Sequence, residues 1–124
     1  MNFIDLIPNF EDERGYIIDL ITDKSIDAIT LISFEKDAIR ANHYHKETTQ
    51  WNYVIEGKIL LATKLEGGEV KKIILEKGSF VETPPLEQHA LKGLEKSKIL
   101  IFTKGPRAGM NYESDTFRVN PPLL

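Results

Sequence analysis

The chain has no cysteine in its 124 residues, so no disulfide can staple it, and its stability must come from a packed core. It has no apolar run long enough to cross a bilayer. Residues 1–10 carry Asp5 and no basic side chain, and so lack the charged start of a secretory signal. Together with the missing thiols, which suit a reducing compartment, these features predict a soluble, cytoplasmic protein. An excess of positive charge is missing too. Sixteen Lys and Arg face nineteen Asp and Glu, the net charge is -3, and the lysines are scattered through turns rather than gathered in a stripe. Nucleic acid and anionic membrane are therefore not expected partners. There is no internal repeat, no heptad pattern, and no segment with a sustained 3.6-residue apolar period and caps at both ends, so helix is at most a minor component.

What the chain does contain is short runs rich in Ile, Val, Thr, Tyr and Phe, at 16–21, 28–33, 50–55, 59–65, 70–75, 80–82 and 99–103. Such residues suit a half-buried pleated surface. Between the runs lie Arg14-Gly15, Glu56-Gly57, Gly67-Gly68, Lys77-Gly78, Pro84-Pro85 and Lys92-Gly93, all turn or bend chemistry. The spacing predicts an all-β fold in a single domain over 1–124, either a sandwich or a barrel, with Gly67-Gly68 closing a hairpin. In the run that begins at Gln50, Asn52 and Val54 share its face, while Trp51, Tyr53 and Ile55 face the other way. Both faces are partly apolar. Either a second sheet or a partner subunit covers the outer side, and a homodimer is the economical expectation.

The three histidines mark the place to look for function. His43 and His45 are two apart, so on a strand they face the same side, and Gln50 follows five residues later, with His89 further along the chain. Gathered imidazoles suit either a metal site or acid/base chemistry, because His is a common metal ligand and titrates near neutrality.

These residues fall into two spaced segments. Asp37, His43, His45, Gln50 and Gly57 form one, and Gly78, Pro84, Leu86, His89 and Gly93 the other. The pair resembles the two motifs of the cupin superfamily, G-x5-H-x-H-x3,4-E-x6-G and G-x5-P-x-G-x2-H-x3-N, and meets every spacing across 37–93. Asp37 stands where the first motif opens with Gly, Gln50 where Glu is usual, Leu86 where Gly is usual and Gly93 where Asn is usual. The resemblance implies a small cupin jelly-roll β-barrel. It implies less about activity, because cupins host isomerases, epimerases, dioxygenases, decarboxylases and binding proteins. A narrower likeness adds detail. Arg40, His43, His45, Lys46 and Gln50 resemble the R-G-x-H-A-H-K-x3-Q run of nucleotide-sugar 3,4-ketoisomerases, and Asp12, Arg14 and Gly15 their D-x-R-G. Arg40, His43 and Tyr44 are similar to the R-G-x-H-Y run of deoxysugar 3,5-epimerases, with Ala41 replacing the Gly after Arg in both cases.

The resemblance implies a divalent transition metal, zinc, nickel, manganese or iron, held by His43, His45, His89 and the amide oxygen of Gln50. Four neutral ligands leave the ion's charge uncompensated, which weakens holding and strengthens polarisation of a bound carbonyl. In a metal-free alternative His43 and His45 serve directly as base and acid. Arg40 and Asn52 are the expected substrate contacts, and Lys104, Arg107 and Arg118 are further candidates for phosphate. The expected function is isomerase or epimerase chemistry on a sugar or nucleotide sugar; a metal-dependent dioxygenase and a non-catalytic ligand-binding module are the alternatives.

Overall fold

The computed structural model describes residues 1–106 and 113–124. Its strands are β1 (Asn2–Phe3), β2 (Phe10–Asp12), β3 (Gly15–Ile17), β4 (Ala28–Phe34), β5 (Ile39–Tyr44), β6 (Thr49–Glu56), β7 (Lys58–Lys64), β8 (Lys71–Glu76), β9 (Phe80–Thr83), β10 (Gln88–Gly93), β11 (Ser97–Lys104) and β12 (Phe117–Arg118). No helix among the described residues is long and apolar enough to cross a membrane. Two five-stranded sheets, ordered β1-β9-β6-β11-β4 and β12-β5-β10-β7-β8, carry the core, and β2 and β3 form a separate hairpin. The 16–21 run shortens to β3, while Gly67-Gly68 joins β7 to β8 as expected, with Gly68 N donating to Leu65 O at 2.9 Å.

Alternation builds the core. Along β11, Ser97, Ile99, Ile101 and Thr103 are buried, while Lys98 and Lys104 face outward. Phe34, Val54, Ile59, Leu61, Leu75, Val81, Leu91, Ile99 and Ile101, drawn from both sheets, form one buried cluster. At roughly 1.5–3 kcal/mol for each fully buried large apolar side chain, this cluster is the main attraction between the sheets.

The expected jelly-roll β-barrel needs correction. The all-β, cupin-like jelly-roll arrangement is present, but among the described residues no sheet closes on itself. Closure requires an unbroken hydrogen-bonded ladder around the fold. Here the ladders end at β1 and β4 in one sheet and at β12 and β8 in the other, so side-chain packing holds the layers together. Arg40 on β5 spans one of these gaps, donating from Nε at 3.3 Å and Nη2 at 3.1 Å to Ser33 O on the edge strand β4.

Strands β5 and β10 were not legible as strands, yet they carry two of the three histidines. Pairing steps from His89 opposite His43 to Ala90 opposite Ala41, so Asn42 is the extra residue of a β-bulge. Ala41 (φ 72°) and Asn42 (φ 55°) are both left-handed there. Asn42 is held firmly: its Oδ1 accepts from Leu123 N at 2.7 Å and Leu124 N at 3.2 Å, its Nδ2 donates to Leu124 O at 3.1 Å, and its own carbonyl accepts from Val119 N at 2.9 Å.

At two of the four positions where the motif pattern has glycine, this chain keeps glycine's backbone without glycine itself. Asp37 has φ 68° and Leu86 has φ 72°. Gly57 keeps both the residue and the conformation, at φ 87°, and a Cβ there would lie 2.0 Å from Ser97 Oγ. A left-handed backbone costs a non-glycine residue about 1–2 kcal/mol. Leu86 is 60% exposed, so little packing offsets that cost. Leu86→Gly is therefore expected to raise the free energy of unfolding by about 1 kcal/mol in chemical denaturation. A loss of stability would show that contacts of the Leu86 side chain outweigh the backbone strain.

Candidate functional site

Strand β5 lies between β10 and β12, and this order assembles the site. His43 on β5 is opposite His89 on one side and Arg118 on the other. His45 follows just beyond the end of β5. The ring centroids are 4.7 Å apart for His43–His45, 4.7 Å for His43–His89 and 5.3 Å for His45–His89. One ligand atom from each ring can be chosen so that all three lie within 4.8 Å of one another. They open on a cavity of about 310 Å³ with Ile32, Phe34, Leu91 and Ile101 among its walls, Gln50 beside the histidines, and Arg40, Glu113, Thr116 and Arg118 also lining it.

Backbone carbonyls set the protons on two rings. His45 Nδ1 is 2.8 Å from Asp115 O, and His89 Nδ1 is 3.1 Å from Glu87 O. A carbonyl can only accept, so each Nδ1 carries a hydrogen, and in the neutral ring Nε2 keeps the lone pair. Both Nε2 atoms are buried without a hydrogen-bond partner among the described residues. Burial pushes His89 down from the usual 6.5 to about 4, opposed by its bond to Glu87 and assisted by the nearness of His45, so the ring stays neutral at ordinary pH. Two buried imidazoles with unpartnered lone pairs are the donor type that divalent transition ions favour, so the residues fit such an ion. His43 Nδ1 has a different neighbour, Arg118 Nη1 at 3.3 Å, and Arg118 Nη2 donates to Glu113 Oε1 at 3.0 Å.

Asp115 organises the turn that carries His45. Besides the carbonyl contact, its carboxylate accepts from Lys46 N at 3.0 Å, Glu47 N at 2.9 Å and Thr48 Oγ1 at 2.8 Å. Burial would raise this carboxyl, but the bonds from Glu47, Thr48 and Lys46 outweigh burial and hold it below the usual carboxylate range.

Of the residues singled out in the sequence, His43, His45, His89, Gln50 and Arg40 share the one cavity. Asn52 is buried, donates Nδ2 to Val81 O at 3.2 Å, and is not among the lining residues. Arg118 lines the cavity and Lys104 does not, while Arg107 lies outside the described residues. Asp12 and Arg14 pair with each other on the β2–β3 hairpin. Sequence reasoning missed Glu113, Asp115 and Thr116. The Glu113-Ser114-Asp115-Thr116 run has ordinary loop composition, and the role of Asp115 toward His45 belongs to its backbone carbonyl, which no side chain advertises.

The pH dependence of stability follows from His89. Unfolded, the ring takes up a proton near pH 6.5; folded, it does so only near pH 4. Between those values the unfolded chain binds more protons, so stability falls as pH drops from about 6.5 to about 4. Denaturation of chelator-treated protein at stepped pH should show this slope, and His89→Gln should flatten it. An unaltered slope in the variant would assign the acid loss to other groups.

Comparison with known proteins agrees with this geometry. The model of the family described as polysaccharide biosynthesis C-terminal domain matches residues 10–117. No curated protein matches the chain. Among solved structures, the WlaRB TDP-quinovose 3,4-ketoisomerase from Campylobacter jejuni is similar at 18% identity with a TM-score of 0.78, covering 94% of this chain and 91% of that one. The sugar 3,4-ketoisomerase QdtA from Thermoanaerobacterium thermosaccharolyticum is similar at 20% identity with a TM-score of 0.76, covering 95% and 87%. A dTDP-4-dehydrorhamnose 3,5-epimerase from Sulfolobus tokodaii is similar at 19% identity with a TM-score of 0.67, covering 85% and 76%. At these identities the likeness establishes the cupin-type fold.

Proposed function

The chain belongs to the family of polysaccharide biosynthesis C-terminal domains, and on that premise we propose that it is an isomerase or epimerase acting on a nucleotide-linked keto sugar. One observation carries the reading: three imidazoles converge on a single part-apolar cavity that two arginines also line. Such chemistry removes a proton next to a carbonyl and returns it elsewhere, and it needs a neutral imidazole near the carbon and positive charge near the oxygen. The fold neighbours support the substrate class, since they include sugar 3,4-ketoisomerases and a 3,5-epimerase, one of them in complex with TDP.

His43 is the ring that moves the proton, because it is only half-buried and its Nδ1 is engaged by a side chain, Arg118, that can move away and free the lone pair. His89 is buried and stays neutral, so it serves better as a fixed donor of a lone pair. Arg40 and Arg118 supply the positive charge that a diphosphate requires, with Arg offering a planar fork suited to phosphate oxygens. The apolar side chains of Ile32, Phe34, Leu91 and Ile101 keep water from the reacting carbon. A divalent ion would be held by His45 and His89 with His43 and Gln50, and would supply charge for an enolate oxygen. The outward-facing Ile29 and Leu31, both more than 60% exposed on edge strand β4, support a homodimer in which a second copy covers that sheet.

In deuterium oxide, a nucleotide-linked 4-keto sugar is expected to gain deuterium next to its carbonyl without consuming oxygen, as read by mass spectrometry. His43→Asn should slow that exchange at least ~100-fold, and Arg40→Ala should raise KM more than it lowers kcat. Oxygen uptake without exchange would replace this reading with oxygenase chemistry. For the ion, Gln50→Glu adds a negative charge to the ligand set and is expected to tighten zinc or nickel about tenfold, measured by competition with a chromophoric chelator. Unchanged affinity would place Gln50 outside the ligand set.

A further inference from the structure

The three rings of the cluster differ in which nitrogen carries the hydrogen. Arg118 has five N–H donors and no acceptor, so its contact with His43 Nδ1 requires that nitrogen to present its lone pair. The hydrogen of neutral His43 is then on Nε2, the reverse of His45 and His89, whose Nδ1 atoms donate to carbonyls. Two features hold Arg118 in place. The antiparallel register sets it directly across from His43, where facing side chains meet, and Glu113 Oε1 takes its Nη2 at 3.0 Å.

A ring in this state has no lone pair to offer a cation, because Nδ1 is engaged by Arg118 and Nε2 carries the hydrogen. Coordination by His43 would require either Nδ1 to leave Arg118 or the hydrogen to move to Nδ1, where it would point at a guanidinium that can only donate. We propose that Arg118, held by Glu113, is a positioning residue that locks His43 as its Nε2–H tautomer and so competes with a divalent cation for the three-histidine cluster. This deepens the functional reading above and rests on it only in taking His43 as the ring that moves the proton. While Arg118 stays in place, Nε2 of His43 is a hydrogen-bond donor and the other two rings present lone pairs; when Arg118 withdraws, His43 gains a lone pair for a proton or a cation.

The test uses uniformly ¹⁵N-labelled, chelator-treated full-length chain and needs no sugar, so an inactive protein would defeat the functional reading without touching this one. Long-range ¹H–¹⁵N correlation spectra of the imidazoles should show His43 as Nε2–H, with His45 and His89 as Nδ1–H. Arg118→Met should release His43 from that state and tighten zinc about tenfold by chelator competition, the effect of losing one competing hydrogen bond. A wild-type spectrum with His43 as Nδ1–H overturns the proposal, and that spectrum decides the matter even if the variant fails to fold. Tighter zinc with the His43 tautomer unmoved also overturns it, since removal of a positive charge would then explain the affinity alone.

Discussion

The antiparallel register of β5 between β10 and β12 is the constraint on which every reactive group depends. It sets His43 across from His89 on one side and Arg118 on the other. Side chains alternate along a strand, so a slip of one residue would turn His43 out of the cavity and bring Tyr44 in. The bulge at Asn42 guards against such a slip, because its side chain and carbonyl are tied to residues 119–124 by four hydrogen bonds at or below 3.2 Å. The chain that follows β12 thus fixes the bulge, and the bulge fixes the histidines.

That arrangement has a cost in stability. The Nε2 atoms of His45 and His89 are buried with no partner among the described residues, and each such group costs about 1–3 kcal/mol. Ala41, Asn42 and Leu86 hold left-handed backbones without being glycine. Ala41 and the two unpaired imidazoles line the cavity, whereas Leu86 lies outside its lining. Local conflicts of this kind concentrate where a fold is committed to function rather than to stability.

The core strands were legible because β4, β6, β7, β8, β9 and β11 carry β-branched and aromatic residues between turn signals. The motif spacing also revealed which histidines belong together, since all three converge. Strand β5, Ile-Arg-Ala-Asn-His-Tyr, was not legible: its alternation is broken by the bulge, and it reads as polar loop. Strand β10 has the polar Gln88 and His89 at its start, and β12 is two residues long. The partners of His45 and His89 are carbonyls of Asp115 and Glu87, a property every residue shares. The open edges in place of a closed barrel depend on whether distant strands complete a ladder, which alternation along one strand does not encode.

Two features of the site act in the same direction. Gln50 in place of a carboxylate removes a negative charge from the residues around the histidines, and Arg118 opposite His43 adds a positive one. Among the described lining residues, Arg40 and Arg118 are opposed only by Glu113, an excess of positive charge in a protein of net charge -3. Both features would make a bound dication less comfortable, by withdrawing attraction and by adding repulsion. Both also deepen the positive potential felt by a phosphate or by the oxygen of an enolate. On the proposed reading, affinity for a dication is exchanged for affinity for an anionic ligand, and the positive charge of the cavity sits on the arginines across the pH range where the buried His89 stays unprotonated.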